Sequence, residues 1–230
     1  MENFDYIRRN FSALNEKLTE LSSRLGVPTP TLVSVTKSGT DEELLALCAA
    51  GAVDIGENRP GELKRRHEIL TAAGFSPRMH EIGTLQRNKV KLVADVACMI
   101  HSVDTLQLAR DINRHAEARG RIIPVLIEVN SAREEQKSGV MPDDAERLLC
   151  EISEFKNLSV EGLMTMGPVT DDAEAIRPYF RETKKLFDRL NERYGFGATP
   201  TLSMGMSDSW QVAVEEGSTL IRVGRSLFVK

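Results

Sequence analysis

Apolar residues recur along this chain in two alternating rhythms. Ile7, Phe11, Leu14, Leu18, Leu21 and Leu25 fall at three- and four-residue steps, the spacing of one face of an amphipathic helix over residues 6–25. A short β-rich run follows between Pro30 and Gly39, and its composition predicts a buried strand that delivers a single lysine, Lys37, at its far end. From there strand and helix patterns alternate. Further strands are predicted at 53–55, 79–82, 96–101, 122–129, 159–163, 201–203 and 219–223. Between them, helices are predicted at 41–50, 61–73, 88–94, 104–119, 142–154, 177–194 and 209–216, with Asp41 as an N-cap and Gly51, Gly74 and Gly120 as stops.

Eight strands separated by helices, with no linker or low-complexity tract, predict a parallel sheet, and eight is the number that closes a (β/α)8 barrel. The expectation is a single TIM-type barrel domain over residues 1–230 with an extra N-terminal helix. An open doubly wound sheet is the competing architecture. Its glycine-rich fingerprint after the first strand is missing, and Lys37 stands in that place.

Charge narrows the partner. The formal net charge of -4, with both signs interspersed, leaves no basic footprint for nucleic acid or an anionic membrane, so a small-molecule ligand is expected. Cys48, Cys98 and Cys150 are far apart and lack ligand spacing, which reads as reduced thiols. No apolar leader opens the N-terminus and no run reaches the roughly 18 apolar residues of a spanning helix. A cytoplasmic protein is expected.

In a barrel the C-terminal ends of the strands converge on one face. Here those ends carry Lys37, Glu57, Asn58, Gly83, His101, Asn130, Met164, Met166, the segment from Ser203 through Met204, Gly205 and Met206 to Ser207, then Arg222 and Gly224. An amine at a strand mouth is the nucleophile of Schiff-base chemistry. The loops after strands seven and eight are where barrels commonly bind phosphate, through glycine N–H groups, short-helix N-termini and hydroxyls. Gly205 or Gly224 alone reads as a tight turn, but the two loops together point to phosphate. The four histidines, His67, His80, His101 and His115, are scattered without a metal-binding pattern. Lysine, phosphate cradle and arginine together fit pyridoxal 5′-phosphate (PLP), whose aldehyde, phosphate and ring nitrogen require three such partners.

At this point the motifs become recognisable. The ordered set 33–37 (VSVTK), 55–58 (IGEN), 80–89 (HEIGTLQRNK), 137–139 (KSG), 162–164 (GLM), 202–208 (LSMGMSD) and 217–224 resembles the pyridoxal-phosphate homeostasis protein family, small barrels similar to the N-terminal domain of alanine racemase. The resemblance spans nearly the whole chain. It implies that Lys37 carries the cofactor as a covalent aldimine and that Arg222 hydrogen-bonds the pyridine nitrogen. It further implies that Ser203, Ser207, Gly224 and the amide of Arg225 hold the phosphate, in a loop that includes Met204 and Gly205. Asn58 would sit beside the ring and Met164 would line the pocket. Two departures stand out: Arg225 where the family often has a small or hydroxyl residue, and Arg87 inside the Gln-x-Asn-Lys signature. Little or no helix follows strand eight, a place left for the N-terminal helix.

Two classes of function compete, a non-catalytic carrier of PLP and a racemase-like PLP enzyme. Racemisation needs a base on each face of the α-carbon, and one lysine serves one face. In the racemase fold the second base is a tyrosine from an additional domain of the partner subunit, whereas Tyr6, Tyr179 and Tyr194 are all predicted on outer helices and the chain stops at the eighth strand. Arg222 can only donate, so it would keep the ring nitrogen unprotonated and the ring a weaker electron sink. The carrier is the expected function, as a monomer that supplies PLP-dependent apo-enzymes.

Overall fold

The computed structural model describes residues 4–168, 170 and 172–230. Met1, Glu2 and Asn3, the start of the terminus expected to lack an apolar leader, lie outside the described residues. Eight parallel strands form a closed barrel: β1 (Thr31–Val35), β2 (Asp54–Glu57), β3 (Arg78–Glu81), β4 (Ala97–Val103), β5 (Ile123–Glu128), β6 (Leu158–Met164), β7 (Thr201–Ser203) and β8 (Leu220–Val223). Neighbours in sequence are neighbours in the sheet, and β8 closes on β1 with Val33 opposite Arg222. The helices are α1 (Asp5–Leu25), α2 (Asp41–Ala49), α3 (Pro60–Ala72), α4 (Val90–Val93), α5 (Leu106–Glu117), α6 (Ala145–Ser153), α7 (Arg177–Tyr194) and α8 (Trp210–Glu215).

α1 takes the place of the helix that would follow β8. Its apolar stripe, Ile7, Leu14, Leu18 and Leu21, is buried, and Asn10 Nδ2 donates to the carbonyls of Leu227 (3.3 Å) and Val229 (2.8 Å). A short 3₁₀ turn, Arg225–Leu227, follows β8. The main apolar core lies between the helices and the outer face of the barrel, with Leu44, Leu63, Leu70, Ile100, Ile112 and Phe180 fully enclosed. Among the described residues no helix is long and apolar enough to cross a membrane.

Departures from the sequence reading are local. The N-cap of α2 is Thr40, not Asp41: Thr40 Oγ1 accepts from the Glu43 amide while the Glu43 carboxylate accepts from the Thr40 amide, a reciprocal box that Asp41 has no geometry to make. The helix expected at 88–94 is a 3₁₀ turn, Arg87–Lys89, followed by the four residues of α4, with Val90, Val93 and Ala94 buried in the apolar core. β2 runs to Glu57, which puts that carboxylate in the sheet, and β4 runs past His101 to Val103, which puts the imidazole inside the barrel rather than at its rim. Lys37 is not the end of the strand. β1 stops at Val35, Thr36 is buried, and Lys37 opens an exposed turn.

Candidate functional site

The turn that carries Lys37 is held from behind. Gly39 N–H donates to the Thr36 carbonyl (2.9 Å), and Arg66 of α3, itself 4% exposed, donates from Nη1 to Thr36 O (2.7 Å) and from Nη2 to Gly39 O (2.9 Å). Arg66 Nε lies 3.2 Å from Glu57 Oε1 as an ion pair without hydrogen-bond alignment, and Thr36 Oγ1 donates to the same oxygen at 2.5 Å. Burial raises the Glu57 carboxyl, with the Thr36 and Arg66 contacts pulling the other way. The turn is therefore fixed at both ends by one guanidinium. Lys37 itself projects from it into solvent, with no hydrogen bond or ion pair to its side chain among the described residues.

The loops after β7 and β8 meet beside that turn. Ser207 Oγ accepts from the Gly224 amide (3.3 Å), joining the two loops, and its own O–H is left to donate outward. Gly224 passes so close to β1 that a Cβ there would lie 2.8 Å from the Val35 carbonyl oxygen. Gly205 has φ +94°, and a Cβ there would come within 2.5 Å of Ala213, so this position is closed to side chains twice over. The Arg225 side chain pairs with Asp208, and its backbone N–H, at the first position of the 3₁₀ turn, has no acceptor within that turn. Asn58 is exposed at the end of β2, with its carbonyl packed under Gly83. Met164 is buried at the end of β6, in register with Ser203. Met204 turns its side chain into the apolar core and offers the site only its backbone.

The Ser203 hydroxyl is committed elsewhere. It is fully buried, accepts from Arg222 Nη1 (2.5 Å) and lies 3.0 Å from His101 Nδ1 inside the barrel, so it has no free direction toward a phosphate. Arg222 is also buried, its Nη2 donating to the Thr165 carbonyl (3.0 Å). Two of its five N–H groups are thus used. Burial pulls the Arg222 guanidinium down to about 10, with Glu128 acting the other way, and it remains a cation at neutral pH. His101 and His80, which looked scattered in sequence, have their nitrogens 3.0 Å apart. Burial pushes His101 well below the usual histidine range. The signal that brings them together is strand parity: His80 pairs with Met99, so His101, two residues on, faces inward as His80 does.

Two further carboxyls, Glu81 and Glu128, are buried in the barrel. Burial, with Glu57 nearby, pushes Glu81 up to about 8, and burial, with Asp104 nearby, pushes Glu128 to about 7. One oxygen of each is buried without a hydrogen-bond partner. Both hold their protons in the folded state to higher pH than in the unfolded chain, so their stabilising share is complete below the ordinary glutamate range and is lost as pH rises through 7 and 8. The melting temperature should therefore fall between pH 5 and pH 8.5, and Glu81→Gln should flatten that slope in a thermal melt series. An unchanged slope in the variant would remove Glu81 as its source.

The described groups fit a ligand with an aldehyde, a phosphate and a ring nitrogen: an unpartnered primary amine, a side-chain-free cradle with outward donors, and a buried guanidinium with donors to spare. Comparison with known proteins agrees with this chemistry. The family model for the alanine racemase N-terminal domain matches residues 10–230. The pyridoxal phosphate homeostasis protein of Aquifex aeolicus is 39% identical over 197 residues, 86% of this chain and 85% of that protein. The protein of the same name from Helicobacter pylori is 37% identical over 199 residues, 86% of each chain. PipY of Synechococcus elongatus, whose structure was solved with PLP bound, superposes with a TM-score of 0.85 at 29% identity, covering 97% of this chain and 100% of PipY. The chain belongs to the alanine racemase N-terminal domain family and, within it, to the pyridoxal phosphate homeostasis proteins.

Proposed function

We propose that this protein is a non-catalytic PLP carrier: it binds PLP at the C-terminal mouth of the barrel, joins it covalently through Lys37 Nζ, and keeps it available to PLP-dependent apo-enzymes. The observation that carries the reading is the convergence of the Lys37 turn with the 205–208 and 224–226 loops, with Arg222 beneath them. When bound, PLP supplies an aldehyde that condenses with an amine, releasing water. The chain's own groups do the rest. Lys37 provides the amine, and the Ser207 hydroxyl with the N–H groups of Gly205 and Arg225 faces the phosphate. An N–H of Arg222 faces the ring nitrogen, while Asn58 and Met164 border the ring. Ser203 acts through Arg222 rather than on the phosphate. The whole chain is read as one domain that works as a monomer in the cytoplasm.

The carrier reading is supported by what surrounds Lys37. Tyr6 donates to Glu43 and Tyr194 to Glu146 (2.6 Å), and both, like Tyr179, lie on outer helices, so among the described residues no tyrosine stands opposite the lysine at the mouth. One base cannot complete racemisation. Exchange of the α-proton of alanine and serine in deuterated water should stay far below roughly 1 per second, the low end of enzyme turnover. Lys37-dependent exchange at or above that rate would establish an enzyme instead.

The phosphate assignment has its own test. Losing one hydrogen bond to a charged group costs roughly 1.5–3 kcal/mol, so Ser207→Ala should weaken PLP binding by about ten- to a hundredfold while leaving affinity for unphosphorylated pyridoxal unchanged. Equal affinity of the unmodified protein for PLP and pyridoxal would contradict the cradle.

A further inference from the structure

The polar side chains inside the barrel form one continuous line from mouth to foot. Arg222 Nη1 donates to Ser203 Oγ (2.5 Å); Ser203 Oγ lies 3.0 Å from His101 Nδ1; His101 Nε2 lies 3.0 Å from His80 Nδ1; His80 Nε2 lies 2.9 Å from Asp54 Oδ1. Asp54 and Arg78 are the first residues of β2 and β3, at the opposite end of the barrel from the candidate site, and Arg78 Nη2 donates to Asp54 Oδ2 at 2.5 Å. Ser203 and His101 are fully buried and His80 is 4% exposed, so solvent offers these links little alternative.

Proton accounting gives this line a direction. Arginine only donates, and an ionised carboxylate only accepts. For Asp54, burial is outweighed by the hydrogen bonds from His80 and Arg78, which hold its carboxyl below the usual range, so it is ionised at neutral pH and accepts from His80 Nε2–H. Neutral His80 then has a bare Nδ1, which accepts from His101 Nε2–H. Neutral His101 in turn accepts at Nδ1 from the Ser203 hydroxyl, and Ser203 Oγ accepts from Arg222. Every donor points toward the foot and none is left over. With an extra proton on His80 the two imidazole links would reverse, and the Ser203 hydrogen would then lose His101 as its acceptor while Arg222 offers none, which is costly in a closed interior.

We propose that Asp54, His80 and His101 are positioning residues for the cofactor site: a one-way hydrogen-bond relay, set by Asp54 at the foot, fixes Ser203 as an acceptor toward Arg222 and so holds the guanidinium's remaining N–H groups toward the ligand's ring nitrogen. The inference rests on the assignment of Arg222 as the ring-nitrogen partner made above. The charged and titratable neighbours that bias the line are Arg78 and Asp54 at its foot and Glu128 beside Arg222 at its head.

Two measurements test it, the first without any cofactor. In ¹⁵N NMR of the cofactor-free protein at pH 8, the single ring proton of both His80 and His101 should sit on Nε2. A proton on Nδ1 of either ring would overturn the direction. The second uses PLP-loaded protein with a ¹⁵N-labelled ring. His101→Phe should weaken PLP binding by about three- to tenfold and introduce a pH-dependent shift of the ring-nitrogen resonance that the unmodified protein lacks. Asp54→Leu, which breaks the line from the other end, should reproduce that shift, and Asp54→Asn, which retains an acceptor, should not. Arg222→Leu separates the two levels. If it leaves the ring-nitrogen signal unmoved, the assignment of Arg222 is wrong. If it moves the signal while folded His101→Phe and Asp54→Leu do not, the relay is wrong.

Discussion

Lys37→Ala is expected to abolish the visible absorption of PLP-loaded protein and the adduct that borohydride traps, while leaving the fold as it is. The first half follows from the chemistry, since an imine needs a primary amine and the mouth presents Lys37 without a competing ion pair among the described residues. The second half follows from position. The side chain is exposed beyond the end of β1 and supports no packing, and exposed substitutions of this kind usually stay within about 0.5 kcal/mol. Phosphate contacts should still hold PLP weakly and non-covalently, seen as free-aldehyde absorption. Absorption spectra taken beside a thermal melt check both halves. A surviving imine band in a folded variant would place the covalent link on another lysine.

Arg66→Met should have the larger effect on stability. It removes the partner of buried Glu57 and both donors to the Thr36 and Gly39 carbonyls, and breaking a buried pair from one side costs about 3–5 kcal/mol. Glu57, already raised by burial, can take up a proton once Arg66 is gone, so the loss should be smaller at pH 6 than at pH 8. Adding Glu57→Gln should recover part of the loss at the higher pH. Covalent PLP attachment should weaken as well, because the same guanidinium sets the turn that aims Lys37. Urea denaturation at the two pH values reads the stability. A loss below about 1 kcal/mol at both would mean that the clamp contributes no more than an exposed ion pair.

The barrel was legible because each strand-helix unit carries its own apolar rhythm and its own stop signals, and eight such units leave few ways to close a parallel sheet. Boundaries slipped where a side chain's reach decides them: Thr40 rather than Asp41 caps α2 because only Thr40 and Glu43 stand three apart in the right phase. The candidate site was legible to the extent that it is local. The 203–208 segment and Arg222 with Gly224 sit at the end of a recognisable strand, and Lys37 lies two residues past the end of β1. What depends on register across the barrel was not. Arg66 reaches the Lys37 turn from a helix whose charge pattern looks solvated, and the line from Arg222 to Asp54 joins residues on five different elements, through a β3–β4 pairing with an irregular register. The Ser203 hydroxyl shows the same limit from the other side. Its place at the end of β7 was readable, but the direction of its Oγ is set by His101, more than a hundred residues away.

The measurement that bears most directly on the account is peptide mapping after borohydride reduction of PLP-loaded protein. The pyridoxyl group should appear on Lys37, in stoichiometric yield, and binding should need no other lysine. Recovery of the label chiefly on Lys89 or Lys137, the other lysines of the motif segments, would contradict a site built where β1 meets the loops after β7 and β8.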